Sequence, residues 1–288
     1  MNEGETLEGY KQQVEAALNA LPMDGAPPPL REAMRYSLLS GGKRLRGCLL
    51  LAACRMAGGN VQDALPFAAA VEMIHAYSLI HDDLPAMDND TLRRGKPTNH
   101  VIYGEAMAIL AGDGLLTHAF EVMARSAHPR AFRALGEIAA AAGVGGMLAG
   151  QTLDVTLAGS PPEKPLVEQI HRGKTAALIT APVCAGMILA GAEDRLIQAG
   201  RAYGFHLGMA FQIVDDLLDL EGDPSLMGKT LGKDEQEGKL TWVACVGASQ
   251  ARLDAQTHIR AAQAALAPFG DKAEFLRSLA FSTLHRVQ

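Results

Sequence analysis

Proline and glycine cut this chain into pieces of helical length that are too apolar to stand alone. The breaks fall at Pro27 to Pro29, Gly41-Gly42, Gly58-Gly59, Gly95 to Pro97, Pro129, Ser160 to Pro162 and Pro224. Between them the pattern predicts helices over Leu30–Leu39, Leu45–Ala57, Val61–Asp83, Gly104–Ala127, Pro129–Leu157, Pro162–His171, Lys174–Ala190, Asp194–Glu221 and Gln236–Leu266, then a short terminal helix. Apolar residues make up 48% of the chain and aromatic ones only 5%, so the core rests on Ala and Leu, both good helix formers. Alternating β-branched runs are nearly absent. The reading is all-α, and with no low-complexity linker it is a single domain over residues 1–288.

A net charge of −6 argues against nucleic acid as a partner, because phosphate backbones select basic surfaces. The four cysteines, Cys48, Cys54, Cys184 and Cys245, form no paired spacing and read as buried thiols. The opening MNEGETLEGYKQQV is acidic without an apolar centre, unlike a signal peptide, so the cytoplasm is the expected compartment. Residues 175–192 carry no charge and approach the length of a membrane span. Small residues and Pro182 within them favour a buried central helix instead, and no stable membrane insertion is expected.

Two apolar segments end in paired aspartates, LIHDDLPAMD and QIVDDLLDLEGD. At about 100° per residue, Asp219 lies one turn beyond Asp215 and roughly 40° round, so both share a face that Asp216 flanks. Like charges at that spacing repel, and a hard divalent cation removes the penalty. Asp88 is too far round an ideal helix to join Asp82 and Asp83. Pro85 disfavours helical geometry at Leu84, so the chain can fold back and return Asp88 to the same cation.

Arg93 and Arg94 follow at once, and further cations stand at Lys43, Arg44, Arg46, Lys174, Lys229, Lys233 and Lys239. Carboxylates that hold Mg²⁺, next to guanidinium groups that grip phosphate oxygens, suit a polyphosphate. Their dispersal suggests two anionic substrates, one bound through metal and one through cations alone. GGKRLRG lacks the pattern of a nucleotide P-loop.

Taken in order, GGKRLR (41–46), VEMIHAYSLIHDDLPAMDNDTLRRGKPTNH (71–100), GQTLD (150–154), HRGKT (171–175), FQIVDDLLD (211–219) and GKTLGKDEQEGKLT (228–241) resemble the trans-isoprenyl diphosphate synthases, in particular bacterial short-chain enzymes of the farnesyl diphosphate synthase type. The resemblance implies an all-α bundle of roughly ten or more helices around a deep central cavity, usually homodimeric. It implies that Asp82, Asp83, Asp88, Asp215, Asp216 and Asp219 hold about three Mg²⁺ ions, with Mn²⁺ as a substitute. Arg93, Lys174, Thr175, Gln212, Lys229 and Lys239 would contact the allylic diphosphate. Lys43, Arg46, His75 and Arg94 would bind isopentenyl diphosphate without metal. Asp82, Asp83, Asp88, Asp215, Arg93 and Lys174 would carry catalysis, a head-to-tail condensation through an allylic carbocation.

In such enzymes the residues just before the first aspartate end the cavity. Tyr77 and Ser78 stand there, and a bulky Tyr77 favours farnesyl over geranylgeranyl product. The inserted Pro85-Ala86 resembles farnesyl-type enzymes and occurs in geranylgeranyl synthases too. Gly47 departs from the family's usual proline after GGKRLR, which predicts a looser loop.

Without the resemblance, His75 would read as a core histidine and Arg93-Arg94 as a solvated pair. Gln151 and Asp154 could line the site or only pack helices, and His81 reads as structural. Three rivals remain: an HD-type metal phosphohydrolase suggested by His81-Asp82, which would need more histidines; a terpene cyclase, which would lack DDLLD and GGKRLR; and a non-catalytic subunit, which would have shed aspartates.

Overall fold

The computed structural model of the chain describes residues 6–221 and 238–284. Helices α1 (Leu7–Asn19), α2 (Pro28–Leu38), α3 (Leu45–Met56) and α4 (Val61–Asp82) come first. A short hairpin follows, β1 (Leu92–Arg93) with β2 (Lys96–Pro97), and then α5 (Asn99–Tyr103), α6 (Glu105–Ala124), α7 (Ala131–Ala142), α8 (Met147–Thr156) and α9 (Lys164–His171). One π-helical turn, Arg172–Ala176, leads into α10 (Ala177–Ala190). The chain ends with α11 (Asp194–Glu221), α12 (Trp242–Val246), α13 (Ala248–Ala265), a 3₁₀ segment (Ala267–Ala273) and α14 (Glu274–Leu284).

Helix α10 is the axis of the bundle, buried without interruption from Leu178 to Leu189. It has no polar face, as a helix surrounded by others should not. Helices α3, α7 and α11 pack around it, and α4 lies between α3 and α6. The first part of α4 is almost as apolar, with Phe67, Ala68, Ala69, Ala70 and Val71 all buried. Cys48, Cys54 and Cys184 are buried free thiols and Cys245 is half-buried. Burial raises the pKa of each.

The expected helices are present with four differences. Helix α1 lies where only a leader was considered; Thr6 Oγ1 accepts the Gly9 N–H at 3.1 Å, and Tyr10, Val14 and Leu18 bury one face. The helix expected over Pro129–Leu157 is two, broken at Gly143 to Gly146. A Cβ on Gly146 would stand 2.1 Å from the Ala141 carbonyl oxygen. Gly247, at φ 77°, separates α12 from α13 within the stretch expected to run from Gln236, which itself lies outside the described residues. Lys174 falls in the π turn rather than starting α10.

Among the described residues, three helical stretches are long and apolar enough to cross a membrane by length and composition: Glu105–Ala124, Ala131–Thr156 and Lys164–Ala190. The last has 83% of its apolar window buried inside the fold, whereas the first two have 33%. Ile109, Leu110, Phe132, Val144 and Leu148 consequently lie exposed on α6, α7, α8 and the loop between α7 and α8.

Helices α3 and α10 meet at Gly186, where a Cβ would fall 2.2 Å from the Leu50 carbonyl oxygen and 2.9 Å from the Cys54 nitrogen. Helix propensity would favour alanine there by about 1 kcal/mol. Overpacking a close backbone crossing costs about 1–3 kcal/mol. Gly186→Ala should therefore lower the urea midpoint, and Gly186→Val should lower it further; an unchanged midpoint for both would show that the crossing has slack.

Candidate active site

Helix α4 ends at Asp82, and the chain then doubles back as the position of Pro85 predicts. The Asp88 N–H donates to the Asp82 carbonyl at 2.8 Å, while Met87 and Asn89 donate to the Leu84 carbonyl. Asp88 is thereby returned toward the helix end. Asp82 Oδ1 accepts from Gln151 Nε2 at 2.9 Å. Arg93 Nε donates to both oxygens of buried Asp83, at 2.8 and 3.0 Å, and its Nη2 lies 2.6 Å from Oδ1. That fork anchors the hairpin. The Arg94-Gly95 turn takes positive φ at both residues, 53° and 73°, as a tight right-twisting hairpin requires.

Arg94 pays for this strained backbone with reach: its Nη1 donates to the Gly41 carbonyl. Gly42, at φ 126°, has no room for a Cβ because the Arg94 guanidinium would be 2.6 Å away. The GGKR loop is thus laid against the hairpin. Arg44 lies left-handed at φ 48° and is buried, donating to Glu15 Oε1 and to the Leu38 carbonyl, both at 2.7 Å. Lys43 remains exposed. Gly47 is tied down, with its N–H on Glu72 Oε1 at 2.9 Å, so the looser loop expected there does not arise.

Beside these residues lies a cleft lined by His75, Arg44, Arg93, Arg94 and Lys96, with Glu72 and Asp83 as its acidic groups. Burial, then Arg46, Arg94, Arg93 and Arg44, push His75 well below its ordinary pKa and hold it neutral. Burial also lowers Arg46, with Glu72 and Asp215 opposing and Arg94 adding to the effect. Buried Arg46 Nε has no hydrogen-bond partner among the described residues. A cleft so positive suits an anion and repels a metal ion, which disposes of His75 as a ligand for a phosphohydrolase cation.

The second wall is built by a close crossing. A Cβ on Gly150 of α8 would be 2.0 Å from the Lys174 nitrogen, and one on Gly173 would be 2.8 Å from Gly150. The two backbones touch, and the π turn presents Lys174 and Thr175 to the site, a common use of such turns. Lys174 Nζ donates to Asp154 Oδ2 at 2.6 Å, and Thr175 Oγ1 donates to Gln212 Oε1 at 2.6 Å. Gln212 Nε2 passes the chain to Asp216 Oδ1 at 3.0 Å. Lys239 Nζ lies 3.3 Å from Asp88 Oδ1. Asp154, Lys174, Thr175, Gln212, Asp216 and Lys239 line a second cleft.

The other expected residues fall as follows. Asp215 faces the Arg46 side of the site, where its charge is felt by that guanidinium. Asp219 is buried one turn further along α11. Tyr77 is buried in α4, edge-on to His81 at 5.7 Å, and burial followed by the Asp82 charge pushes its phenol to about 12. Ser78 donates to the His75 carbonyl at 2.9 Å. His81 Nε2 contacts the Ile109 carbonyl at 3.2 Å and packs on Gly112 of α6, a structural place as expected. Lys229 and Lys233 lie outside the described residues. Sequence reasoning missed Glu15, Glu72, His171 and Trp242, which hold the ligating residues in position and lie outside the quoted motifs or carry no spacing signal of their own.

Comparison with known proteins now decides the family. Residues 27–269 match the polyprenyl synthetase family model. The chain belongs to the polyprenyl synthetase family. It is 46% identical over 264 residues to the farnesyl diphosphate synthase of Geobacillus stearothermophilus, covering 89% of each chain. It is 45% identical over 278 residues to the chloroplastic geranylgeranyl pyrophosphate synthase of Catharanthus roseus, covering 94% of this chain and 78% of that one. The solved geranyltransferase of Helicobacter pylori, complexed with magnesium and isoprenyl diphosphate, superposes with a TM-score of 0.86 at 30% identity, covering 100% of this chain and 98% of that one.

For a polyprenyl synthetase the donor set is the right one for a hard cation, since carboxylate oxygens dominate it. Among the described residues no three acidic, histidine or cysteine groups converge into a cage. Mg²⁺ does not require one, since it usually takes one or two carboxylates, several waters and substrate phosphate oxygens. The aspartates fit that role.

Asp82 records the strain of the arrangement. Burial, opposed by Lys174 and reinforced by Asp88, raises its pKa from 3.8 to about 6. A raised carboxyl pKa means that the folded state holds the proton more tightly than the unfolded chain. Its stabilising contribution is complete below about pH 4 and is lost as pH rises through about 6. Asp82→Asn has nothing to ionise there, so in metal-free protein it should exceed the parent by about 1–3 kcal/mol near pH 7.5 and by little near pH 4. Urea unfolding at both pH values reads this directly, and a difference that does not change with pH would refute the buried-carboxylate account.

Proposed function

We propose that the protein is a prenyltransferase of the farnesyl diphosphate synthase type, condensing isopentenyl diphosphate head to tail with dimethylallyl and then geranyl diphosphate, releasing pyrophosphate. One observation carries this reading: two anion clefts of different kind flank the end of α4, with Asp83 lining the first and Asp88 paired with Lys239 of the second. One is lined by arginines around a neutral histidine, and the other by lysines and carboxylates.

The carboxylate cleft takes the allylic diphosphate. Arg93, Lys174, Thr175, Gln212 and Lys239, with Lys229, bind and orient its oxygens. Asp82, Asp83, Asp88, Asp215, Asp216 and Asp219 are the residues that would hold about three Mg²⁺, with Mn²⁺ able to replace it. Bound there, the metal neutralises charge that builds on the departing pyrophosphate. Lys174 can turn from Asp154 to that same charge, a gain realised only as the bond breaks. The cationic cleft holds isopentenyl diphosphate through Lys43, Arg46, His75 and Arg94, fixing its double bond next to the allylic carbon. Attack forms the new carbon–carbon bond, and the proton then lost goes to pyrophosphate oxygen. Apolar helices keep water from the carbocation meanwhile.

Tyr77 and Ser78 set product length from the wall of α4, where buried Tyr77 obstructs a tail longer than farnesyl. Geranylgeranyl diphosphate is the second reading of the product, supported by the similarity to the Catharanthus synthase. The exposed apolar residues of α6, α7 and α8 support a homodimer formed across that face, free in the cytoplasm rather than inserted in a membrane.

Purified protein incubated with Mg²⁺, labelled isopentenyl diphosphate and dimethylallyl or geranyl diphosphate should yield, after dephosphorylation, farnesol as the main alcohol on chromatography. Tyr77→Ala should shift the product to longer alcohols at similar total turnover. No elongation from either primer would overturn the reading, and unchanged product from Tyr77→Ala would remove Tyr77 as the stop. Light scattering should give twice the monomer mass, falling to the monomer when Leu110 and Phe132 are both replaced by Glu.

A further inference from the structure

The segment that forms one wall of the carboxylate cleft is attached at two points. At one end the Gly238 carbonyl accepts the Gly159 N–H at 2.8 Å. At the other stands Trp242, the only tryptophan of the chain, buried at 3% exposure. Lys239, Leu240 and Thr241 line the cleft between them. The Trp242 backbone N–H donates to Asp216 Oδ2 at 2.7 Å, and His171 Nε2 lies 3.4 Å from the same oxygen. Gln212 holds the other oxygen, so the Asp216 carboxylate is fixed at both ends.

The indole ring is gripped from behind the site. Its face stacks on His171 at 5.7 Å and 25°, and Lys164 Nζ stands over it at 4.9 Å. Its Nε1–H donates to Asp254 Oδ2 at 2.8 Å. A core tryptophan needs only one acceptor, and a carbonyl would serve. Here the acceptor is a carboxylate that also takes Lys164 Nζ at 3.2 Å and, on Oδ1, Gln250 Nε2 at 2.8 Å. Burial works against that charge, but the bonds from Gln250, Trp242 and Lys164 outweigh it and keep Asp254 below its ordinary pKa. Three donors from three elements converge on one side chain outside the cleft, and its purchase inside the cleft runs through Trp242.

The geometry points to Trp242 as a positioning residue for the allylic diphosphate, clamped by Asp254 and Lys164 so that Asp216 and the Lys239–Thr241 wall are set before substrate arrives. This rests on the reading of that cleft as the allylic site. The clamp touches neither Arg46 nor His75, so isopentenyl diphosphate should not feel it. Outer partners of this kind typically change binding or activity by about 10–100-fold when removed.

Asp254→Ala leaves the tryptophan in place and removes its anchor. Calorimetric titration with inorganic pyrophosphate and Mg²⁺ should show binding about tenfold weaker than in the parent. The KM for geranyl diphosphate should rise by a similar factor, while the KM for isopentenyl diphosphate stays within about twofold. Emission from the single tryptophan should shift on pyrophosphate binding in the parent and lie nearer the solvent-exposed wavelength in Asp254→Ala from the start. Trp242→Phe, which keeps an aromatic face but offers Asp254 no N–H, should lose about as much affinity as Asp254→Ala. If Asp254→Ala does not fold, Lys164→Met on the surface tests the same clamp with the same readouts. Equal pyrophosphate affinity in parent and folded variant, or a parallel rise in both KM values, would overturn the inference and leave Trp242 as core packing. A parent that binds no pyrophosphate at all would instead refute the proposed function.

Discussion

The fork between Arg93 and Asp83 is the interaction on which the cationic cleft depends. Asp83 caps α4, so the pair ties the hairpin to the helix that carries the first aspartates. The hairpin turn then carries Arg94 to Gly41, and the loop held there carries Lys43 and leads into α3, where Arg46 stands. Asp83 is 4% exposed. Removing either partner would strand a buried charge, which typically costs about 3–5 kcal/mol, more than any surface pair contributes. The price of holding cations so close together is visible in the neutral His75 and in the lowered Arg46 and Arg94. An anion held among these groups would relieve that repulsion.

On the other wall the controlling constraint is steric rather than electrostatic. Gly150 and Gly173 let α8 and the π turn approach until their backbones touch. Only at that distance can Gln151 of α8 reach Asp82 while Asp154 reaches Lys174. The π turn supplies the remaining adjustment, because one extra residue in the turn rotates Lys174 and Thr175 relative to α10. Glycine and irregular helix geometry therefore do for the carboxylate cleft what ion pairing does for the cationic one. Both devices act on backbone, where a small displacement moves several ligands together.

The parts of this architecture that could be read from sequence are those with a local physical cause. Pro85 announces the turn that brings Asp88 back, and the four-residue spacing of Asp215 and Asp219 announces a shared face. The resemblance carried the assignment of Lys174, Thr175 and Gln212, which spacing alone could not pair. What stayed illegible depends on partners distant in the chain. Glu15 and Glu72 look like ordinary helix-surface acids until Arg44 and Gly47 are seen against them. Trp242 and Asp254 carry no local signal that pairs them across the 12 positions that separate them. The break between α7 and α8 was present as Gly143 to Gly146, but the apolar run around it masked the interruption. Helices α6 and α10 are similarly apolar by composition, yet one is the core and the other keeps an exposed face, a distinction set by neighbours rather than by sequence.

Gly47 shows how a departure from a family pattern can be absorbed. The first turns of a helix leave N–H groups without acceptors, and proline near a helix start solves this by carrying no N–H. Glycine at position 47 keeps its donor, and Glu72 from α4 supplies the acceptor at 2.9 Å. A carboxylate is well placed at a helix N-terminus, where the dipole favours negative charge. It also lies 3.9 Å from Arg44, which reaches in turn to Glu15 of α1. The space a side chain at position 47 would need is taken by Val14 of α1, 3.0 Å from the place of a Cβ. Glycine therefore brings α1, α3 and α4 together behind the cationic cleft. The stiffness that proline would have given locally is provided by three helices meeting around two glutamates and an arginine.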